Sequence, residues 1–203
     1  MLYGDVLATK NRFDATFLAT LAEELAAQPG CPLKLVANLP YNVATPILSN
    51  LLALDHPPES MTVTIQKELA DRLIGVPATK DYGALSVWVQ SQCQVEIVRV
   101  LPPSVFWPKP KVHSAIVKLS VDAALRGRIA DRGFFHEFVR AMFCHRRKFL
   151  RSELLTVVQD RLDKPAVDEI LAAERLDGQL RAEHLSVEQF LSLAGAVRRR
   201  LGS

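Results

Sequence analysis

The chain has 203 residues, of which 49% are hydrophobic and 23% charged, and its net charge is +3. This length is enough for one large domain or two small ones, and the composition is that of an ordinary soluble globular protein. No apolar run approaches the roughly 18 residues of a membrane span, and no charged-then-apolar leader opens the chain. We therefore expect neither a membrane segment nor a secretory signal.

The cysteines and histidines predict no metal site. Cys31, Cys93 and Cys144 lie far apart and form no C-x-x-C pair, which argues against a zinc ribbon or a disulfide framework. The five histidines are scattered along the chain. This cysteine usage fits a reducing compartment, so we expect a cytoplasmic protein.

Charge is unevenly distributed along the chain. Residues 1–122 carry a net charge of −1, whereas residues 123–203 carry +4. The carboxyl-terminal part is therefore the candidate for contact with a polyanion. Modest positive charge is also common on solvated helices, so this signal is weak by itself.

The first third of the chain predicts helices around a strand. Apolar positions at helical spacing indicate a helix over 13–27, which ends before Pro29. The run 33–37 is short, apolar and bounded by turn residues, which is typical of a buried parallel strand. The hydroxyl of Thr45, followed by proline, predicts the capped start of a helix over 45–54.

The middle of the chain predicts a sheet with short helices. The expected elements are a strand over 61–65, helices over 67–74 and 84–92, and strands over 94–101 and 112–121. We expect the last two strands to pair antiparallel around a proline-rich loop, 102–110. From about Asp131 onward only helical patterns occur, including a capping box at Ser186 and Gln189. The sequence thus predicts an α/β domain over 1–125 and a small all-α domain over 126–203.

The segment Asn38-Leu39-Pro40-Tyr41, called segment 38–41 below, follows the predicted strand 33–37. In open α/β sheets, ligands bind at the carboxyl ends of strands. The side-chain carbonyl of Asn38 and the backbone carbonyl of Leu39 can accept both protons of an amino group, since Pro40 restricts the residue before it. Tyr41 can stack on an extruded base. Asn and Pro are also common in plain turns, which is the simpler interpretation of these four letters alone.

The proline-rich loop offers a second aromatic element. Phe106 and Trp107 lie among four prolines, so the loop can hold a ring opposite Tyr41 with little ordering cost. Lys109 and Lys111 are close enough in sequence to meet phosphate oxygens. The alternative is that Phe106 and Trp107 cover the edge of the sheet as core residues.

Several motifs occur together and in order. They are 38–42 with Thr45-Pro46, Gln66-Lys67-Glu68, Tyr82-Gly83 with 85–87, 102–106 with Pro108, 110–112 and Ser114-Ala115, Phe143 with 146–148 and Arg151, and 181–183 with Leu185-Ser186. This set covers nearly the whole chain and resembles the small-subunit rRNA adenine N6,N6-dimethyltransferases, the KsgA family, which is related to the Erm enzymes.

The resemblance implies a Rossmann-like class I methyltransferase sheet followed by a helical RNA-binding domain. It implies transfer of methyl groups from S-adenosylmethionine to adjacent adenosines of small-subunit rRNA in a pre-30S particle, which yields dimethyladenosine during ribosome biogenesis. The implied catalytic residues are Asn38, Leu39, Pro40, Tyr41 and Phe106; Trp107 receives no role. The implied RNA contacts are Lys109, Lys111, Arg146, Arg147, Lys148 and Arg151.

The cofactor-binding part of the family pattern is mostly missing. The family holds S-adenosylmethionine with a glycine-rich turn and an acidic residue after its first two strands, whereas the nine glycines here never fall within three residues of one another. Residues 2–7 look like the end of a strand and the turn after it. Asp5 matches the acid that binds the adenine of the cofactor, and Asn38 matches a second residue of that pocket. We therefore expect an amino-terminally truncated sheet, which argues against cofactor binding by this chain.

Three interpretations of this departure stay open. The chain is a truncation of a full enzyme, which we favour, or a short assembly factor that binds rRNA without methylating it. Otherwise a partner or a swapped copy supplies the missing half, and an exposed sheet edge is prone to such self-association. A DNA adenine methyltransferase is a further alternative, because its amino-binding motif is similar.

Overall fold

A computed structural model describes residues 3–10, 12–159 and 161–202. The contacts divide the chain into two compact units. The sheet unit comprises Met1–Ala70 and Gln94–Asp122, and the helical unit comprises Asp71–Cys93 and Ala123–Ser203. These units differ from the predicted domains, 1–125 and 126–203, chiefly in residues 71–93. That segment belongs with the later helices because it contains Trp88, whose ring stacks on His136 with 4.3 Å between the ring centroids.

The elements alternate in the first part of the chain and are helical in the second. The strands are β1 (Leu7–Thr9), β2 (Arg12–Phe13), β3 (Lys34–Asn38), β4 (Ser60–Gln66), β5 (Cys93–Leu101) and β6 (Ser114–Val121). The helices are α1 (Ala15–Ala27), α2 (Ala44–Ala53), α3 (Lys67–Leu73), α4 (Ala84–Gln90), α5 (Ala123–Gly127), α6 (Arg132–Met142), α7 (Leu150–Val157), α8 (Lys164–Ala173) and α9 (Val187–Leu201). The elements predicted between residues 61 and 121 are confirmed to within two residues at each end.

Strand β4 is an interior strand of the sheet. The strand order is β3-β4-β6-β5, and β4 runs parallel to β3 and antiparallel to β6. Because paired residues share a face, one face carries an apolar row of Leu35, Met61 and Leu119. The alternating burial of β4 fits this arrangement, since every second residue, starting at Met61, is fully buried. The opposite face is more polar and includes Thr62 and Lys118.

Strand β3 differs from its prediction. Its parallel pairing with β4 is as expected, but the expectation that it is buried is wrong. Val36 is 82% exposed, and Lys34 and Asn38 are exposed beside it. Val36 pairs with Thr62 and so lies on the more polar face of the sheet, and among the described strands β3 has a neighbour on one side only. Helix α1 likewise contains no buried residue.

Two expectations for local structure near the amino end are also wrong. The cap predicted at Thr45 is not used, because α2 begins at Ala44 with Val43 in the cap position and no side-chain cap. The turn of segment 38–41 starts this helix early, since the Pro40 carbonyl already accepts hydrogen bonds from the amides of Val43 and Ala44. The strand predicted to end near residues 2–7 instead begins at Leu7, after a turn in which the Asp5 carboxylate accepts the Leu7 amide at 2.9 Å; residue 2 lies outside the described residues.

The helical unit is built around an apolar stripe on helix α6. Helix α6 buries Phe135, Phe138, Val139 and Met142. The capping box at the start of α9 is confirmed, because the Ser186 hydroxyl accepts the Gln189 amide and the Gln189 side chain accepts the Ser186 amide. Within residues 3–10, 12–159 and 161–202, no helix combines the length and apolar character of a bilayer span.

The stacked pair Trp88 and His136 generates a prediction about pH. Burial of the imidazole, with the nearby charge of Arg140, lowers the pKa of His136 to about 4. In the unfolded chain this histidine takes up a proton near pH 6.5, which the folded chain resists until about pH 4. Stability is therefore lost as the pH falls through this window, by roughly 2 kcal/mol between pH 7 and pH 4.5.

Urea unfolding at both pH values checks this expectation. His136→Phe keeps an aromatic ring beside Trp88 and removes the titrating group, so its stability should depend less on pH by about the same amount. All other titrating groups are common to both proteins and cancel in the comparison. An equal loss of stability in the variant and the wild type would contradict the assignment to His136.

Candidate active site

Segment 38–41 leaves the sheet at the carboxyl end of β3. The paired part of the strand ends with Asn38 opposite Thr64, and the Leu39 amide still donates to the Thr64 carbonyl at 3.1 Å. The Pro40 carbonyl then accepts the amides of Val43 and Ala44, each at 3.1 Å. Backbone hydrogen bonds thus hold both ends of the segment, one to the sheet and one to the start of α2.

The polar groups of Asn38 and Leu39 are placed differently. The Leu39 side chain is buried and anchors the segment, and its carbonyl lies beyond the last paired residue of the strand. Asn38 is exposed, and its side-chain amide makes no hydrogen bond within the described part of the chain. An unbonded amide beside a fixed backbone carbonyl is available to a ligand that carries an amino group.

A hydrogen bond across the sheet unit holds Tyr41. Its hydroxyl lies 2.7 Å from the hydroxyl of Ser114, which is fully buried at the start of β6. No sequence pattern identified this positioning role of Ser114. The two residues are 73 positions apart, and no spacing rule connects them. The only available signal was that Ser114 belongs to the family-like motif that begins at 102–106.

One cavity gathers the residues that the sequence predicts to be catalytic. It has a volume of about 330 Å³ and is lined by Asn38, Leu39, Pro40, Tyr41, Phe106, Trp107, Pro108 and Pro110. All of these residues belong to the sheet unit. Phe106 is half-buried, and its amide donates to the Pro103 carbonyl at 3.3 Å. The catalytic roles of these residues remain predictions.

Phe106 and Trp107 differ sharply in burial. Trp107 is 96% exposed, so the alternative in which it covers the sheet edge as a core residue is wrong. Its ring lines the rim of the cavity instead. Trp107 is a candidate functional residue that the family resemblance left without a role.

The two predicted cofactor-binding residues are not brought into one pocket. Asp5 is exposed, one of its carboxylate oxygens accepts the Leu7 amide, and it does not line the cavity that contains Asn38. The residues that the structure describes include no pair of glycines close enough for a phosphate- or nucleoside-binding turn. The described residues by themselves therefore do not fit the whole of S-adenosylmethionine, and no step below depends on how it is held.

The predicted RNA-binding residues fall into two groups. Lys109, Lys111 and Arg147 are exposed, and within the described residues none of them has an ion pair or side-chain hydrogen bond. The other three are engaged inside the helical unit. Lys148 lies 3.9 Å from the buried carboxylate of Glu153.

The described residues contain no group of three or more His, Cys, Asp or Glu side chains suited to a metal ion.

Arg146 and Arg151 each bind a partner within the helical unit. The Arg146 guanidinium donates to the Tyr82 carbonyl at 3.0 Å and to the Glu183 carboxylate at 3.1 Å. Arg151 makes two parallel bonds to Asp168, at 2.5 and 2.8 Å, which lower the pKa of that carboxyl. The basic run is therefore only partly free to bind a polyanion.

Comparison with known proteins places this site in a family. The family model described as "Ribosomal RNA adenine dimethylase" matches residues 6–196. A protein of Lactiplantibacillus plantarum named "Ribosomal RNA small subunit methyltransferase A" is 45% identical over 168 residues, covering 82% of this chain and 56% of the relative. A Listeria monocytogenes protein of the same name is 39% identical over 197 residues, covering 96% of this chain and 64% of the relative. The chain thus spans little more than half the length of such relatives.

Solved structures show the same fold. A dimethyladenosine transferase from Plasmodium falciparum superposes with a TM-score of 0.74 at 19% identity, covering 92% of this chain and 80% of that structure. The 23S rRNA methyltransferase ErmE superposes with a TM-score of 0.52 at 23% identity, covering 94% and 80%. The predicted α/β methyltransferase fold is therefore confirmed. Because the family model matches nearly the whole length of the chain, the chain belongs to the ribosomal RNA adenine dimethylase family.

Proposed function

We propose that this chain is the base-receiving part of an enzyme that dimethylates N6 of adjacent adenosines in small-subunit rRNA, with S-adenosylmethionine as methyl donor. The observation that carries the proposal is the cavity that gathers Asn38, Leu39, Pro40, Tyr41 and Phe106. The name of the L. plantarum relative, a small-subunit rRNA methyltransferase, supports the choice of RNA.

The chemistry of the target explains why these groups are useful. The lone pair on the exocyclic nitrogen of adenine is delocalised into the ring, so the nitrogen is a poor nucleophile. If the side-chain carbonyl of Asn38 and the backbone carbonyl of Leu39 each accept one of its protons, a tetrahedral nitrogen with a localised lone pair is favoured. S-adenosylmethionine, when bound, would supply the methyl group and leave as S-adenosylhomocysteine, and the cationic nitrogen would then release a proton to water. No general base is required.

The walls of the cavity suit one flat ring. A volume of about 330 Å³ lies near the small end of ligand pockets, which span roughly 300–1,000 Å³. Tyr41 and Phe106 contribute aromatic rings, and the hydrogen bond to Ser114 limits rotation of the Tyr41 ring. An adenine extruded from its strand can therefore lose its stacking neighbours and gain protein rings in their place.

Substitution of Asn38 tests the proposed role most directly. Asn38→Ala removes an acceptor used as the nitrogen changes geometry, so we expect methyl transfer to fall by about 100-fold or more while RNA affinity changes little. Transfer of labelled methyl groups to unmodified small-subunit rRNA measures the first quantity, and a filter-binding titration measures the second. Ser104→Ala, in the same loop as Phe106 but outside the cavity lining, is the matched control.

Calorimetry with S-adenosylmethionine separates the enzyme from its main alternative. The absence of closely spaced glycines favours a non-catalytic rRNA-binding assembly factor, or an inactive fragment, as the second candidate. If the chain binds rRNA but neither binds S-adenosylmethionine nor transfers methyl groups, that candidate is correct for this chain. A preference for duplex DNA over an rRNA hairpin in competition binding would overturn the choice of RNA.

The rRNA partner, within a pre-30S particle, should be contacted by cations that have no ion pair within the described residues. The candidates are Lys109 and Lys111, which lie in or directly after the cavity loop of the sheet unit, and Arg147 of the helical unit. Contacts of this kind are made to phosphates, so they weaken with salt and depend little on sequence.

Arg147 and its neighbour Arg146 form a matched pair of variants. We expect Arg147→Gln to weaken binding of an rRNA hairpin several-fold and to reduce the salt slope by about 1, with stability unchanged. Arg146→Gln should instead lower the free energy of unfolding by about 1–2 kcal/mol, since the Tyr82 carbonyl loses a charged donor. Equal salt slopes for Arg147→Gln and wild type would contradict the assignment.

We also propose self-association through the outer edge of β3. The exposure of Val36 and the one-sided pairing of β3 support it, because an uncovered edge strand is a template for another chain. Val36→Lys should shift the chain toward a monomer in light scattering at increasing concentration. Val98→Lys places the same charge on β5 at the other end of the sheet and is the control. A wild type that stays monomeric throughout would exclude this contact.

A cytoplasmic location is part of the proposal. Cys31, Cys93 and Cys144 are all free thiols, as is usual in a reducing compartment.

A further inference from the structure

Trp107 is the most exposed large apolar side chain of the described residues. The chain has two tryptophans, of which Trp88 is 1% exposed and Trp107 is 96% exposed. A free indole on a protein surface is unusual, since aromatic side chains are buried on average and exposed ones mark binding surfaces. We propose that Trp107 is a stacking platform for the nucleotide next to the target adenosine; this inference rests on the function proposed above.

The backbone conformation points the side chains of Phe106 and Trp107 to different sides of the loop. Phe106 has an extended conformation, with φ −114° and ψ 147°, and in extended chains successive side chains point to opposite sides. Phe106 is accordingly half-buried at the cavity, whereas Trp107 stands at its rim in solvent. A base that enters the cavity leaves the next base of the strand outside it, on the side where Trp107 is exposed.

The loop restricts the backbone that carries the indole. It contains Pro102, Pro103, Pro108 and Pro110, and the Val105 amide donates to the Pro102 carbonyl at 3.2 Å. A platform that is already ordered adds little entropic cost when a ligand binds. Extruding one base leaves its neighbour without a stacking partner on that side, and an indole in reach can replace the lost contact.

The charge around Trp107 favours a nucleic acid over a protein partner. Lys109 and Lys111 follow within four residues, are exposed, and have no ion pair within the described residues. Alternating aromatic and basic side chains are the pattern of single-stranded nucleic-acid binding, in which bases stack and cations meet the backbone. A protein-docking patch would instead call for a broader apolar surface with few charges at its centre.

Fluorescence of an RNA hairpin tests the proposal. The hairpin carries two adjacent adenosines in its loop, and 2-aminopurine replaces either the target adenosine or its neighbour. With wild-type protein, we expect the probe at the neighbouring position to be quenched. Trp107→Leu should abolish that quenching and weaken binding by roughly 5- to 100-fold, the range for loss of one stacked base. Trp107→Phe, which keeps a ring, should restore most of both.

A second variant and a second probe separate this inference from the proposed function. Phe106→Leu should alter the probe at the target position, which Trp107→Leu should leave largely unchanged. Equal affinity and equal quenching for Trp107→Leu and wild type would overturn the stacking role while the proposed function stands. Failure of the wild type to bind the hairpin would overturn both. Because Trp107 is exposed, thermal unfolding of Trp107→Leu should match the wild type and exclude a folding defect.

Discussion

The site depends on how segment 38–41 is tied to the sheet. One backbone hydrogen bond joins the Leu39 amide to Thr64 in β4, and two more join the Pro40 carbonyl to the first turn of α2. These hydrogen bonds restrict rotation of the peptide group that carries the Leu39 carbonyl. The buried Leu39 side chain adds a third point of attachment. A fixed carbonyl beside a free amide is what a pair of acceptors for one amino group requires. The geometry is therefore a property of the strand end itself.

The opposite wall is built by different means. Phe106 and Trp107 are carried by a loop whose stiffness comes from proline rings rather than from a hydrogen-bonded ladder. Tyr41 is linked to this side of the sheet by the Ser114 hydroxyl at the start of β6. Rigidity at both walls reduces the entropy lost when a base enters, which favours recognition of a flexible, extruded nucleotide.

Much of this arrangement follows from the sequence. Alternation predicted β4 because successive side chains point to opposite faces of the sheet and only one face is fully buried. The prolines predicted a stiff loop. The sequence could not predict the exposure of Val36, because an apolar strand has the same pattern at an edge as at the centre of a sheet. Nor could it pair Tyr41 with Ser114 or Arg146 with the Tyr82 carbonyl, since both contacts join residues that are distant in the chain. Local chemistry was readable, and tertiary partners were not.

The chain passes between its two units at 70/71, 93/94 and 122/123. During synthesis, residues 71–93 leave the ribosome before the helices that they pack against exist. Trp88 therefore lacks its stacking partner until His136 and the rest of α6 have been translated. The sheet unit is in the reverse position, since β4 obtains its antiparallel neighbour β6 only after residues 71–93 have been made. Vectorial folding of either unit is thus delayed by the other, and no single cut of the chain leaves both units intact and separate.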